Sequence, residues 1–207
     1  MAELVLVRSM LARITLAMLA VVITVTNQSL AKDLVAQAVF GSDSALETFK
    51  AAEHVTVARM HKRPWEETSK DEKIRSLYSE DPSSPIHTLP FYRLDAAAPV
   101  SADDVRTLKK LFTDPNSYQW NSEKGIVKAC EPDYGVLFTF RGRSGVVRIA
   151  LCFHCDQMGV LLGEGEDPLR YNAEEDFDLM RGQLLTLVKR LFPNDSAIQS
   201  LPLERKT

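Results

Sequence analysis

The chain has 207 residues, of which 45% are apolar and 26% are charged, and this balance is typical of a globular protein. It excludes a collagen-like or largely disordered chain. The 25 basic and 28 acidic residues give a formal net charge of -3. Because nucleic-acid-binding domains usually carry a strong basic excess, we expect no nucleic-acid partner. Composition alone indicates no chemical activity.

The N-terminal segment has the three parts of a secretory signal peptide. Arginines precede the apolar run 14–25, and Ser29 and Ala31 supply small residues before a cut. We therefore predict a signal peptide over residues 1–31 and a location in the periplasm, the cell envelope or the extracellular medium. The alternative is an uncleaved membrane anchor, but the twelve residues 14–25 fall short of the about 20 that a spanning helix needs. The mature chain, 32–207, is expected to form one domain without a membrane span.

The first elements of the mature chain are predicted from helix-capping residues and from the alternation of apolar and polar residues. Ser42 or Ser44 can cap a helix that ends near Ala52, and residues 54–60 alternate as a strand does. Prolines and charges punctuate residues 61–90, which we interpret as a long loop.

A short edge strand at 91–94 and a second helix follow this loop. Ser101 can cap that helix, which is predicted to end near Phe112, and acidic residues follow the cap near the positive end of the helix dipole.

The strongest local signal is a β-hairpin formed by residues 134–141 and 146–153. A two-residue loop at Arg143 and Ser144 is the simplest connection between them. That connection pairs Val136 with Leu151, Phe138 with Ile149 and Phe140 with Val147. All three pairs are apolar, so one face of the hairpin is expected to face the core. Residues 158–162 should continue the meander.

The last predicted element is an amphipathic helix. We place its cap at Asn172, because acidic residues follow that residue, and its end before Pro193, because basic residues precede that proline. The tail to Thr207 is expected to lie along the surface. Together these elements predict an α+β domain, an antiparallel meander of about four or five strands packed by two or three helices.

Three cysteines occur in this chain, and an oxidising compartment favours one disulfide with one thiol left over. In the hairpin register, Cys155 lies closer to Cys130 than Cys152 does. Alternation also places Cys155 on the side of Phe153 and Leu151, opposite Cys152. The favoured pair is therefore Cys130 with Cys155, and the alternative is Cys130 with Cys152.

Two other roles for these cysteines remain open. The Cys152-x-x-Cys155 spacing occurs in thiol-disulfide oxidoreductases, although those enzymes place the first cysteine at a helix start. Zinc could take four ligands from Cys130, Cys152, Cys155 and His154, but adjacent strand residues point to opposite faces unless a bulge intervenes. No cofactor is predicted.

Arg141, Arg143 and Arg148 cluster at the hairpin and are candidates for binding an anion, against the alternative of a solvated hairpin tip. Residues His54, His61 and His87 are scattered and match no hydrolase pattern. No catalytic residue is therefore assigned.

Cys130-Glu131-Pro132 and Cys152-Phe153-His154-Cys155, with the later Phe177-Asp178 and Leu191-Phe192-Pro193, give the chain a resemblance to a group of exported bacterial proteins. That group carries a Cys-x-Pro pair, a hairpin and Cys-Phe-x-Cys. The resemblance covers about a third of the chain. It implies export and an α+β domain, and it supplies no activity.

The sequence favours an exported, non-enzymatic binding or structural module of the cell envelope, stabilised by one disulfide. The alternative is a thiol-disulfide oxidoreductase or zinc-binding protein that uses Cys152 and Cys155. The sequence does not identify a ligand, a partner or an oligomeric state.

Overall fold

A computed structural model describes residues 35–64, 66, 92–118, 133–143, 145–162 and 170–204. The predicted signal peptide, most of the predicted loop 61–90, and Cys130 lie outside these ranges. Within them, no helix combines the length and the apolar character needed to cross a membrane.

The described strands are β1 (His54–Lys62), β2 (Tyr92–Leu94), β3 (Ala98–Pro99), β4 (Val136–Gly142), β5 (Gly145–Cys152), β6 (Gln157–Leu162) and β7 (Arg170–Asp176). They form one antiparallel sheet in the order β2-β1-β4-β5-β6-β7, with the short β3 pairing with β1. The α+β class and the meander are confirmed. The sheet has more strands than expected, since β3 and β7 were not predicted. β3 is very short, and β7 lies where a helix was predicted.

The β4–β5 hairpin has the predicted register. Val136 pairs with Leu151, Phe138 with Ile149, and Phe140 with Val147. Gly145 opens β5 with a φ of 137°, a conformation that residues with a Cβ rarely adopt. The glycine therefore allows the tight connection that fixes this register.

The α-helices whose bounds lie within the described ranges are α1 (Asp43–Ala51), α2 (Ala102–Thr113), α3 (Arg181–Leu191) and α4 (Ser196–Ser200). A π-helical segment (Val35–Val39) precedes α1, and 3-10 turns lie at Pro115–Ser117 and Asp178–Met180. Ser42 caps α1 by accepting a hydrogen bond from the Ala45 N–H at 3.2 Å, and Ser101 caps α2 by accepting one from Asp104 at 3.2 Å. Both predicted helix starts are therefore confirmed.

The helices and one face of the sheet enclose the main core. Phe49 of α1 is fully buried in this core, with its ring centroid 4.4 Å from that of Phe140 and 4.8 Å from that of Phe40. Aromatic pairs at such distances stabilise a core beyond the area they bury. Val35 and Val39 are also buried in this core, so the fold includes chain that begins four residues after the predicted cleavage site.

The predicted start of the last helix was wrong. Residues 170–176 form β7, which pairs with β6, and α3 begins only at Arg181. Without β7, the outer edge of β6 would leave unpaired N–H and C=O groups. Pairing with β7 satisfies the backbone groups of β6. The hydrogen bonds so formed outweigh the preference of the acidic residues for a helix N-terminus.

The tail after Pro193 also differs from the surface course that was predicted. It forms α4, and Ile198 of this helix is buried in the main core. Lys189 of α3 donates hydrogen bonds to the Gln199 and Leu201 carbonyls at 2.9 and 2.6 Å. The tail is therefore docked against α3.

Asp195 ties this C-terminal region to β1. It caps α4 by accepting a hydrogen bond from the Ile198 N–H at 2.9 Å, and it accepts another from Arg59 Nε at 2.6 Å. Burial alone would raise the pKa of this carboxyl, but the Ile198 N–H and the Arg59 guanidinium lower it below its ordinary value. The carboxylate thus joins β1 to α4 in its charged form.

The core assignment predicts different costs for two leucine truncations near α3. Leu184 is 0% exposed and Leu179 is 54% exposed. We expect Leu184→Ala to lower the free energy of unfolding by about 2–5 kcal/mol, because it leaves a cavity. Leu179→Ala should change it by about 0.5 kcal/mol or less. Urea unfolding measures both, and equal losses would contradict the assignment.

Candidate functional site

Both cysteines in the described ranges are fully buried on the outer face of the sheet, away from the main helices. Cys152 ends β5, and Cys155 lies in the turn that leads to β6. They belong to a second, smaller apolar cluster. The cluster contains Met60, Tyr92, Tyr134, Leu137, Ala150, Cys152, Cys155 and Leu161. We call it the outer cluster.

The prediction that Cys152 and Cys155 lie on opposite sides of the hairpin was wrong. It assumed that β5 continues to Cys155, whereas the strand ends at Cys152 and residues 153–156 turn. Phe153 packs into the main core, 5.3 Å from Phe177 by ring centroids, while Cys155 joins Cys152 in the outer cluster. A turn resets the direction of side chains, so strand parity does not extend through it.

Asp156 completes this turn and is completely buried. Its φ of 58° lies in the left-handed region, where aspartate is tolerated better than most residues. Its carbonyl accepts a hydrogen bond from the Phe177 N–H at 2.8 Å. The turn is thereby held against the segment that leads from β7 to α3.

Arg181, the first residue of α3, pairs with Asp156 in the interior. Its Nη1 donates to Asp156 Oδ1 and, at 2.8 Å, to the Phe153 carbonyl. Nε and Nη2 donate to the Pro202 carbonyl at 3.2 and 2.9 Å. The guanidinium carbon lies 5.9 Å from the centroid of the Phe153 ring, a favourable cation–π distance.

This geometry describes a structural ion pair. The Arg181 side chain is 5% exposed and that of Asp156 is 1% exposed. A charge so far from water is tolerated when its partner and further hydrogen bonds replace the lost solvation. Arg181 meets that requirement with three acceptors, two in the β5–β6 turn and one in the C-terminal segment. This pair was not predicted from the sequence, where its only signal is an aspartate between the predicted strands 146–153 and 158–162.

The geometry of the cysteine motif differs from that of the alternative enzymes. Cys152 ends a strand, so no helix dipole acts on its thiol as it does in thiol-disulfide oxidoreductases. His154 is exposed, whereas Cys152 and Cys155 face the outer cluster. Across the described ranges, no three His, Cys, Asp or Glu residues are placed to hold a metal ion. Cys130, the fourth predicted zinc ligand, lies outside those ranges.

The structure separates the three candidate anion-binding arginines. Arg141 of β4 and Arg148 of β5 lie on the outer face of the sheet, near each other by register. Arg143 lies in the hairpin turn with a 93% exposed side chain, and its Nε is 3.7 Å from a Glu53 carboxylate oxygen. Burial, and then the charge of Arg141, lower the pKa of the Arg148 guanidinium.

A cleft of about 480 Å³ lies between α2 and the start of α3. Its walls are mostly polar, and they include Lys110, Asp114, Asn116 and Gln183 beside the exposed Leu179. Asp114 already caps the following 3-10 turn through the Asn116 N–H at 2.9 Å. The cleft is large enough for a small ligand.

Comparisons of the chain with protein-family models, curated proteins and solved structures found no match.

The buried ion pair predicts a double-mutant signature. Arg181→Met and Asp156→Asn should each lower the free energy of unfolding by about 3–5 kcal/mol, because each leaves one buried group without its charged partner. The double variant should lose clearly less than the sum of the two, with a coupling of about 1–3 kcal/mol in urea unfolding.

Arg190→Met is the matched control, since Arg190 lies in the same helix and pairs with Asp104 through a 60% exposed side chain. Exposed pairs contribute about 1 kcal/mol or less. Two results would contradict a structural role for the pair of Arg181 and Asp156. One is a double variant whose loss of unfolding free energy equals the sum of the two single losses, and the other is a loss for Arg190→Met as large as that for Arg181→Met.

Proposed function

We propose that the protein is an exported, non-enzymatic binding or structural module of the cell envelope, stabilised by a Cys130–Cys155 disulfide. The observation that carries this proposal is that Cys152 and Cys155 are both 0% exposed. A catalytic thiol must reach its substrate and ionise, which a sulfur sealed in an apolar cluster does not favour. The N-terminal signal-peptide pattern supports export.

The state of Cys152 supports the proposed pairing. Cys152 is a free, buried thiol, so the Cys130–Cys152 alternative is not favoured. An oxidising compartment then leaves Cys130 and Cys155 to pair. On the chain-entropy model, closing a loop of roughly 25 residues stabilises a fold by about 3–4 kcal/mol. The bridge would anchor the turn that carries Cys155, in addition to the hydrogen bonds that Arg181 donates to it.

The alternative, a thiol-disulfide oxidoreductase or a zinc protein, keeps the support of the Cys152-x-x-Cys155 spacing. It requires both sulfurs to become accessible together, or Cys130 and His154 to converge on them. The exposure of His154 and the position of Cys152 at a strand end favour the structural role.

Thiol titration of the purified mature protein, with metal analysis, tests the proposal. We expect no thiol to react in the native protein and one thiol, Cys152, to react after denaturation, with no bound zinc. A non-reducing peptide map should link the peptides that contain Cys130 and Cys155. N-terminal sequencing of protein recovered from the cell envelope should begin at Lys32.

The Cys152→Ala variant is the control, because it should lose the single titratable thiol and keep the linked peptides. Three titratable thiols with one equivalent of zinc would support the metal alternative. Rapid reaction of a native thiol would support the redox alternative, and either result would overturn the proposed role.

A further inference from the structure

The cleft between α2 and the start of α3 has a nearly buried hydroxyl group in its wall. Ser117 lines the cleft and is 8% exposed. Its hydroxyl forms no hydrogen bond with any described residue, and it is not one of the buried polar atoms that solvent cannot reach. The hydroxyl therefore reaches solvent through the cleft, where a ligand can supply the hydrogen bond that the described protein does not.

Hydrogen bonds hold this wall of the cleft in a fixed shape. Asp114 Oδ1 accepts from the backbone N–H and the side-chain amide of Asn116, both at 2.9 Å, and the Asp114 carbonyl accepts from the Ser117 N–H at 2.9 Å. The Tyr118 hydroxyl donates to the Phe112 carbonyl at 3.0 Å and ties the turn back to α2. Because the wall is already ordered, a ligand need not pay for ordering it.

Two opposite charges lie in the cleft wall without pairing with each other. Lys110 and Asp114 are four residues apart and so are neighbours at the end of α2. Within the described ranges, the Lys110 ammonium forms no ion pair and Asp114 Oδ2 accepts no hydrogen bond. Asp114 also lies at the carboxyl end of α2, where the helix dipole favours a cation. The cleft thus offers one contact for a cationic group and another for an anionic group.

Apolar side chains lie beside these polar groups. Leu111 of α2 and Met180 of the 3-10 turn before α3 line the cleft and are buried. Leu179 also lines it but is 54% exposed. An apolar group of a ligand would remove this surface from water, which favours binding.

We propose that this cleft binds a small zwitterion with an apolar side chain, either a free amino acid such as leucine or a dipeptide of such residues. The ligand ammonium pairs with Asp114, and the ligand carboxylate accepts hydrogen bonds from Lys110 and the Ser117 hydroxyl. The apolar side chain covers Leu179. The volume of about 480 Å³ lies within the range of about 300–1,000 Å³ that is usual for small-molecule sites.

This inference rests on the binding role proposed above and adds a ligand class to it. The two can nevertheless fail separately. Thiol titration and N-terminal sequencing report on the disulfide and on export, and neither result depends on the cleft.

Calorimetry of the mature protein with matched probes tests the ligand class. The probes are leucine, leucyl-leucine, N-acetyl-leucine without the ammonium, leucinamide without the carboxylate, and serine without the apolar side chain. We expect leucine or leucyl-leucine to bind about tenfold more tightly than the altered probes. Tighter binding of leucine indicates a free amino acid as the ligand, and tighter binding of leucyl-leucine indicates a peptide. Failure of both to bind at millimolar concentration, or equal binding of an altered probe, overturns the site.

Charge-removing variants test the two polar contacts. Asp114→Asn keeps a capping oxygen but removes the charge, and Lys110→Met removes the ammonium. Each should weaken leucine binding about tenfold. Asp114→Asn should leave the residual binding of N-acetyl-leucine unchanged, and Lys110→Met that of leucinamide. Arg106→Met is the matched control, because Arg106 lies one turn earlier in α2 and pairs with Asp103. Equal weakening by Arg106→Met would indicate a general charge effect and overturn the site.

A leucine truncation tests the apolar contact. Leu179→Ala should weaken leucine binding about fivefold, because less apolar surface is covered. Leu94→Ala is the control, since Leu94 is 41% exposed but lies on β2, outside the cleft. Equal effects of the two truncations would overturn the apolar contact.

A measurement on the unmodified protein keeps the test independent of whether a variant folds. On addition of leucine or leucyl-leucine, the amide NMR signals of Lys110, Asn116, Ser117 and Gln183 should shift more than those of the β4–β5 turn. Shifts confined to other parts of the protein would overturn the site.

Discussion

The buried pair of Arg181 and Asp156 joins three parts of the fold that are distant in sequence. Through its hydrogen bonds, Arg181 holds the β5–β6 turn, the start of α3 and the C-terminal segment at Pro202. None of these segments could move away without leaving a charge or a carbonyl buried and unsatisfied. The pair therefore holds the β5–β6 turn, which carries Cys155, against the start of α3 and the C-terminal segment.

That arrangement explains why the cysteine motif looks reactive in sequence and structural in three dimensions. A Cys-x-x-Cys spacing becomes reactive when a helix start and solvent access accompany it. Here a strand end and a tight turn carry the two sulfurs, and Asp156 in the left-handed region turns the chain inward. The two cysteines are buried in the outer cluster, and the exposed Arg141 lies at the other end of the same sheet face.

Much of the fold could be predicted from the sequence where local signals agree. The β4–β5 register followed from alternation and a glycine-flanked turn, and the Ser42 and Ser101 caps followed from their hydroxyls. The start of the last helix could not be predicted, because residues 170–176 carry local helix signals while the open edge of β6 requires a strand. That requirement comes from tertiary pairing, which local sequence does not contain.

The candidate sites show the same contrast between what local sequence predicts and what tertiary pairing decides. The sequence singled out Arg141, Arg143 and Arg148 together, but only the sheet register places two of them on one face beside Thr56 and Thr139. The partnership of Arg181 with Asp156, 25 residues away, was not predictable, since nothing in the helix pattern marks Arg181 as buried. The side of the sheet predicted for Cys155 from strand alternation was wrong, because a turn begins directly after Cys152.

Native-state hydrogen exchange of the Phe177 and Leu201 amides tests most directly whether the buried pair unites these segments. Phe177 donates to the Asp156 carbonyl and Leu201 to the Ile198 carbonyl, so the two amides report on the turn and on the C-terminal segment. The account predicts that both open with the same free energy, and that Arg181→Met lowers this value equally for both. If Leu201 kept its protection while Phe177 lost it, the segments would be stabilised independently, and the central role of the pair would be contradicted.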